Sequence, residues 1–164
     1  MSYDSLEAGI HIRERQILYM RFLALVISIL LCSSVLAQTP AEQIDKGMEL
    51  LRQNKPADAL TVFNAVVKAN DKDIKAWVGI AQAQRQLSHL PEAITAYRKT
   101  LSLNPQLDAA RLELASVLIE GNKAQEALQE LNRAAAALPL QPRPYQLMSA
   151  AYAQMKRFGD AREA

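Results

Sequence analysis

From residue 40 onward, apolar residues recur at three- and four-residue spacing, and short polar turns interrupt them. The stretch ASVLIEGNKAQEALQELNRAAAAL, from Ala115 to Leu138, shows the unit of the pattern: an apolar-periodic run, a Gly121-Asn122 turn, then a second run. That spacing predicts two helices joined by a tight connection. Pro56 and Pro91 stand near the expected starts of second helices in earlier pairs, where a missing N–H costs little. Asn104-Pro105 and Leu138-Pro139 are expected to stop helices, because the residue before proline disfavours helical backbone. Upstream the pattern changes character. Residues 22–37, FLALVISILLCSSVLA, form one uncharged apolar run with no polar face.

Slid against itself, the chain after residue 40 matches in a register of 34 residues. Ala59, Ala93, Ala127 and Ala161 mark it, and Phe63, Tyr97 and Leu131 stand four residues after the first three. Twelve residues before the alanines stand Gly47, Ala81, Ala115 and Ser149, all small. Small residues at both places let the two helices of a unit approach closely, and the bulky residue four later shares the alanine's helical face. Pro105 and Pro139 close the second and third units, and Trp77 and Tyr145 hold equivalent positions with Arg111 between them.

This pattern resembles the tetratricopeptide repeat, with its W-x2-L-G-x2-Y, A-x3-F and P positions. The second unit, Ile74 to Leu107, fits best through Trp77, Ile80, Ala81, Ala93, Tyr97 and Pro105, and departs at Gln84, where an aromatic is usual. The third keeps Leu114, Ala115, Ala127 and Pro139, with Arg111 and Leu131 where aromatics are commoner. The resemblance covers Pro40 to Ala164 and implies an all-α fold. That fold is a tetratricopeptide (TPR) α-solenoid of antiparallel helix pairs, with three complete repeats at 40–73, 74–107 and 108–141 and a truncated fourth at 142–164. The first unit carries Gln43 and Lys46 where later units carry Trp77 and Ile80, as suits a terminal unit with a solvated outer side. In the fourth, a first helix is expected around Tyr145 to Gln154. Phe158 then precedes a second helix of which about one turn is present, so the ending reads as a truncation.

Arg13, Arg15 and Arg21 precede the apolar run, and Val35-Leu36-Ala37 follows it, the arrangement of a secretory signal peptide cleaved after Ala37. Translation from Met20 would make residues 1–19 an upstream extension. The rival readings are an inner-membrane anchor at 22–37 and lipid attachment at Cys32. A span wants about 20 apolar residues, and Leu31 sits where a lipoprotein signal wants a small residue. Export would place the mature chain, free of cysteine, in the periplasm or outside the cell.

Composition narrows the chemistry. Half of the 164 residues are apolar but only 5% are aromatic, which suits close-packed helices. A net charge of +2 with interleaved signs gives no footprint for nucleic acid. One cysteine and two histidines, His11 and His89, offer no Cys/His metal set. Ser88 and His89 adjoin but lack an acid partner. No catalytic residues, cofactor or metal are therefore expected.

In the family, partners lie in the concave groove lined by the first helix of each unit. Carried over, the resemblance places Ile44, Met48 and Leu51 there from the first unit, and Lys75, Val78, Gln82 and Arg85 from the second. Leu112, Ser116 and Ile119 follow from the third, and Arg143, Gln146 and Ala153 from the fourth. Apolar at one end and bearing Lys75, Arg85 and Arg143 further along, such a lining suits a peptide with some acidic character; alternatively the apolar residues pack the first unit and the cations keep the groove soluble. The family's carboxylate clamp wants lysine and asparagine where Ile44 and Met48 stand, so it is not expected. The implied function is a non-catalytic protein-binding scaffold or adaptor of the bacterial envelope, with a protein or peptide partner and contact with the membrane only through an uncleaved signal segment. The alternative is the N-terminal module of a longer envelope protein serving polysaccharide export, pilus assembly or a downstream catalytic domain.

Overall fold

The computed structural model describes Met20 and residues 39–163, with side chains as far as Lys156; the expected signal segment, Cys32 and His11 lie outside the described residues. Among residues 39–163 seven helices follow in order: α1 Pro40–Arg52, α2 Pro56–Ala69, α3 Ile74–Gln86, α4 Leu90–Leu103, α5 Asp108–Glu120, α6 Ala124–Ala137 and α7 Pro142–Glu163. None of the described helices is long and apolar enough to cross a membrane. The first opens with a reciprocal cap: Glu42 N–H donates to Thr39 Oγ1 at 3.3 Å, and Thr39 N–H to Glu42 Oε2 at 3.0 Å. Asp73 caps α3 through Ala76 N–H at 3.0 Å.

Each complete pair turns by the same device. Asn54, Ser88 and Asn122, each 34 residues after the last, hold left-handed backbone with φ of 57°, 61° and 59°. The N–H one residue on reaches back to close the helix: Lys55 to Leu50 O, His89 to Gln84 O and Lys123 to Leu118 O, at 2.9, 2.9 and 2.8 Å. At the third turn the left-handed residue is Asn122, while Gly121 keeps an ordinary φ of −82°.

Helices pack in sequence, α1 on α2 through α6 on α7, and α1 also meets α3 while α5 meets α7. No pair of second helices shares a comparable interface, and the middle first helices α3 and α5 meet instead through the Arg85 ion pairs with Glu113 and Glu120; the inner side of such a stack is the one the family resemblance assigns to first helices. One apolar core runs the length of the stack, from Ile44 to Ala134. The repeating alanines Ala59, Ala93 and Ala127 are sealed in it, as are Phe63, Tyr97 and Leu131. Phe63 shows why the small positions matter. Its ring lies between Gly47 of α1 and Gly79 of α3, so close that a Cβ on either would fall within 2.6 Å of it.

Arg111, which breaks the aromatic pattern, does the aromatic's work. Trp77 Nε1 donates to Asp71 O at 2.8 Å, and Tyr145 OH to Pro139 O at 3.3 Å. Arg111 donates to Pro105 O, again six residues upstream. All three side chains tie the start of a first helix to the turn before it. The guanidinium is almost buried and is balanced by Glu130, 2.8 Å from Nη1.

The fourth unit departs from expectation. No turn precedes Phe158; α7 continues unbroken to Glu163. The position equivalent to Asn54, Ser88 and Asn122 is Lys156, whose side chain offers no local hydrogen bond to offset left-handed backbone. The face of α7 that bears Ser149 is open, and Tyr145, Tyr152 and Met155 are exposed at 49%, 58% and 41%.

Candidate binding groove

The first helices place their inner faces side by side, and between α1, α3 and α5 they leave a depression of about 710 Å³. Met48, Leu51 and Arg52 come from α1, Gln82, Arg85 and Gln86 from α3, and Glu113 and Glu120 from α5. Tyr97 of α4 completes the lining. Met48 and Leu51 fall at i and i+3 of α1, and Gln82, Arg85 and Gln86 at i, i+3 and i+4 of α3, the spacing that puts side chains on one helical face.

Arg85 is the hub. Its Nη1 donates to Glu113 Oε2 at 2.9 Å, its Nη2 to Ser116 Oγ at 3.0 Å, and its Nε to Glu120 Oε2 at 3.2 Å. A further bond joins Nη2 to Glu120 Oε1. The Glu120 hydrogen bond is the largest cause holding the Arg85 guanidinium protonated even more firmly than usual, against the opposing effect of burial. Glu113 also accepts from Arg143 of α7, so one carboxylate links the second, third and fourth units. At the rim, Arg52 is paired with Glu49 at 2.6 Å.

Beneath this network lies the Tyr97 hydroxyl. The residue has no exposed surface, and its oxygen has no hydrogen-bond partner among the described residues. Burial pushes the phenol well above its ordinary pKa, and Glu113 adds to the effect, so the hydroxyl keeps its proton.

The residues carried over from the resemblance are not brought together as one surface. Met48, Leu51, Gln82 and Arg85 line the depression, and Ser116 borders it through its bond from Arg85. Ile44 and Lys75 line a second, smaller depression of about 500 Å³ with Asp45, Lys72 and Asp73. Leu112 is core, at 4% exposure. Ile119 packs against the small cluster of Ala124, Leu128 and Ala151, and its carbonyl accepts from Gln154 at 2.9 Å. Val78 is half-buried in α3, while Gln146 and Ala153 are exposed on α7.

The expected cationic stretch is not free: Arg85 and Arg143 are neutralised by Glu113 and Glu120. Both carboxylates and Tyr97 were missed as groove residues. The signal was present in opposite charges about one repeat apart, since Arg85 meets Glu113 and Glu120, and Glu113 meets Arg143, across separations of 28, 35 and 30 residues. Away from the groove, Ser88 serves the turn and His89 bonds Gln84 Oε1 at 3.0 Å. No group of three His, Cys, Asp or Glu side chains among the described residues is placed to hold a metal.

Comparison with known proteins agrees with this architecture. Two family profiles described as tetratricopeptide repeat match residues 44–108 and 85–151. A stretch of 77 residues is 36% identical to a probable UDP-N-acetylglucosamine–peptide N-acetylglucosaminyltransferase, SPINDLY, of Hordeum vulgare, covering 47% of this chain and 8% of that protein. The chain thus spans a small fraction of that relative's length. Among solved structures, MamA (residues 41 to the end) from Desulfovibrio magneticus RS-1 superposes with a TM-score of 0.67 at 24% identity, over 72% of this chain and 67% of that one. The TPR2B domain of yeast Sti1, solved in a complex with pHsp70, superposes with a TM-score of 0.65 at 22% identity, over 70% and 97%. At these identities the likeness is one of fold.

Proposed function

The chain belongs to the tetratricopeptide-repeat family, and on that premise we propose that it is a non-catalytic scaffold that binds a peptide segment of a partner protein in the groove of its first helices. The observation that carries this reading is the depression between α1, α3 and α5, which is open, large enough for several side chains and lined by three successive units. The Sti1 domain, which shares the fold, was solved in a complex with pHsp70, and that supports the reading by analogy.

Export to the bacterial envelope is part of the same proposal. It rests on the basic, apolar and small-residue order of residues 13–37, with the periplasm as the working compartment. Mass spectrometry of the mature protein is expected to find Gln38 at its N-terminus, and retention of residues 22–37 would overturn cleavage.

Capture from the host envelope tests the binding reading, using the full chain and two variants. Gln86→Trp fills the depression, whereas Asn64→Trp alters the exposed side of α2. The partner is expected to be lost with the first and kept with the second, both variants melting as the parent does. The opposite pattern would assign recognition to the outer helices. A second reading, that these repeats are one module of a longer envelope protein, is favoured by a match that occupies 8% of a far longer relative. Sequencing the transcript in the host decides it by whether the reading frame continues past Ala164.

A further inference from the structure

Successive first helices adjoin at three places in the described stack, and the middle one differs. α1 packs on α3 and α5 packs on α7, but α3 and α5 share no comparable interface. The register of 34 residues supplies a reason. At the first junction the Phe63 ring lies between Gly47 and Gly79, and a Cβ on either would collide with it. At the second junction the equivalent residues are Tyr97, Ala81 and Glu113. The ring has acquired a hydroxyl, and the glycine that let α3 close over the ring is replaced by a glutamate on α5. A carboxylate resists burial against an aromatic ring. The two helices therefore stand apart, and Glu113 lines the depression between them. At the third junction the set is Leu131, Ala115 and Leu147, all apolar, and the first helices meet again.

What bridges the gap is electrostatic. Arg85 reaches across from α3 to three residues of α5: Glu113 at 2.9 Å, Ser116 at 3.0 Å and Glu120 at 3.2 Å. Arg85, Glu113 and Glu120 are all partly exposed, so water competes for these bonds and they tie the helices less firmly than buried packing would. Behind them α4 packs on α5, which joins the two units through apolar contact. On the far side Arg98 of α4 pairs with Glu126 of α6 at 2.6 Å, and that pair is more exposed still.

We propose that the junction between the second and third units is the hinge of the stack, with the packing of α4 on α5 as its pivot and the Arg85 ion pairs as a latch across its inner side. While the latch holds, the units before and after the junction keep one relative orientation. When it breaks, α3 and α5 part and the depression between them widens. Glu113 has both roles: it keeps apart helices that close at the other junctions, and it receives the latch. Its second cation, Arg143 of α7, lies on the same side of the junction and restrains nothing across it. The hinge does not depend on the depression's having a ligand, but any ligand that touches both α3 and α5 meets a width that the latch sets.

The test is double electron–electron resonance on the full chain carrying Cys32→Ser, with nitroxide labels on pairs of introduced cysteines at exposed positions. Gln86 of α3 and Gln146 of α7 bracket the junction, whereas Asn64 of α2 and Thr95 of α4 both precede it. The latch is removed from either side, by Arg85→Gln or by Glu113→Gln with Glu120→Gln. Each is expected to lengthen and broaden the Gln86–Gln146 distance distribution, to leave the Asn64–Thr95 distribution as in the parent, and to keep the parent's helical circular dichroism. Tyr97→Phe combined with Glu113→Gly restores the residue types of the first junction and is expected to shorten the Gln86–Gln146 distance. An unchanged Gln86–Gln146 distribution in both latch variants would overturn the hinge. Equal broadening of the two label pairs would do the same, because it means that the stack loosens everywhere. Loss of helical signal in both latch variants would show that the ion pairs are needed to fold the chain, and would also overturn the proposal. Failure of the double variant at Tyr97 and Glu113 to shorten the distance would overturn Glu113 as the cause of the gap.

Discussion

Gly79→Ala is the most informative single change in the stack. Gly79 lies in the middle of α3, where alanine should favour the helix by about 1 kcal/mol. A Cβ there would stand 2.4 Å from Phe63 Cζ, 2.5 Å from Cε1 and 2.6 Å from Cε2, whereas ordinary contact begins at 3.4 Å. The ring would have to retreat by about 1 Å, which a close-packed interior resists. Gly47 blocks the retreat, since a Cβ there would lie 2.5 Å from Cε1 of the same ring. Overpacking of this kind costs about 1–3 kcal/mol, so the net loss should reach about 2 kcal/mol at most once the helix gain of about 1 kcal/mol is set against it. In a Phe63→Leu background the ring is gone and only the helix gain is left, so Gly79→Ala should turn neutral or stabilising. The assay is urea unfolding of all four proteins in the cycle, read by far-UV circular dichroism and by the fluorescence of Trp77, the only tryptophan. Coincident transitions would justify treating each protein as one cooperative unit. A rise in midpoint for Gly79→Ala in the parent background would refute the reasoning. So would an equal change in both backgrounds, because additivity means that the two residues do not meet.

Other outcomes follow from the same contacts. Arg111→Ala leaves the half-buried Glu130 with only the exposed Arg133 as its cation and unties Pro105, and should cost about 1–3 kcal/mol in thermal or urea unfolding. Arg111→Trp should lose less, because an indole N–H at this position already reaches the equivalent carbonyl in the second unit. Ser88→Gly should stabilise by about 1 kcal/mol by relieving left-handed backbone at φ 61°. Tyr97→Phe should raise stability by about 1 kcal/mol at neutral pH, because it removes a buried hydroxyl that has no partner. The same variant should alter the alkaline limb. The unfolded phenol ionises near its ordinary value of about 10, while the folded one, with its pKa raised chiefly by burial, stays protonated. Tyr97 therefore contributes a loss of stability as pH rises above that value, and Tyr97→Phe should show a shallower decline in a pH series of melting curves.

The repeat register was legible because helix pairing imposes small residues at fixed places. Ala59, Ala93 and Ala127 declare it in sequence and are sealed in the structure. Gly79 was open to the same reasoning, since a lone glycine inside a helical run has a packing reason more often than not. Arg111 was read as a departure, and only three dimensions show a guanidinium donating where an indole and a phenol do in neighbouring units. The groove was harder. Helical periodicity places Arg85, Glu113 and Arg143 on inner faces but leaves open which of them touch, and that choice decides whether the surface is cationic or neutral. The unbroken course of α7 was also hidden, because a turn depends on one residue's tolerance for left-handed backbone, and Lys156 stands at that position.

The central claim is that recognition occurs on the first helices. Site-specific photocrosslinking in the host tests it most directly, with a benzophenone side chain placed in turn at Gln86 and Gln146 on first helices and at Asn64 and Asn132 on second helices, all exposed. Adducts with one partner are expected from Gln86, with fewer or none from Asn64 and Asn132. Adducts confined to Asn64 and Asn132 would contradict the account and move the binding surface to the outside of the stack.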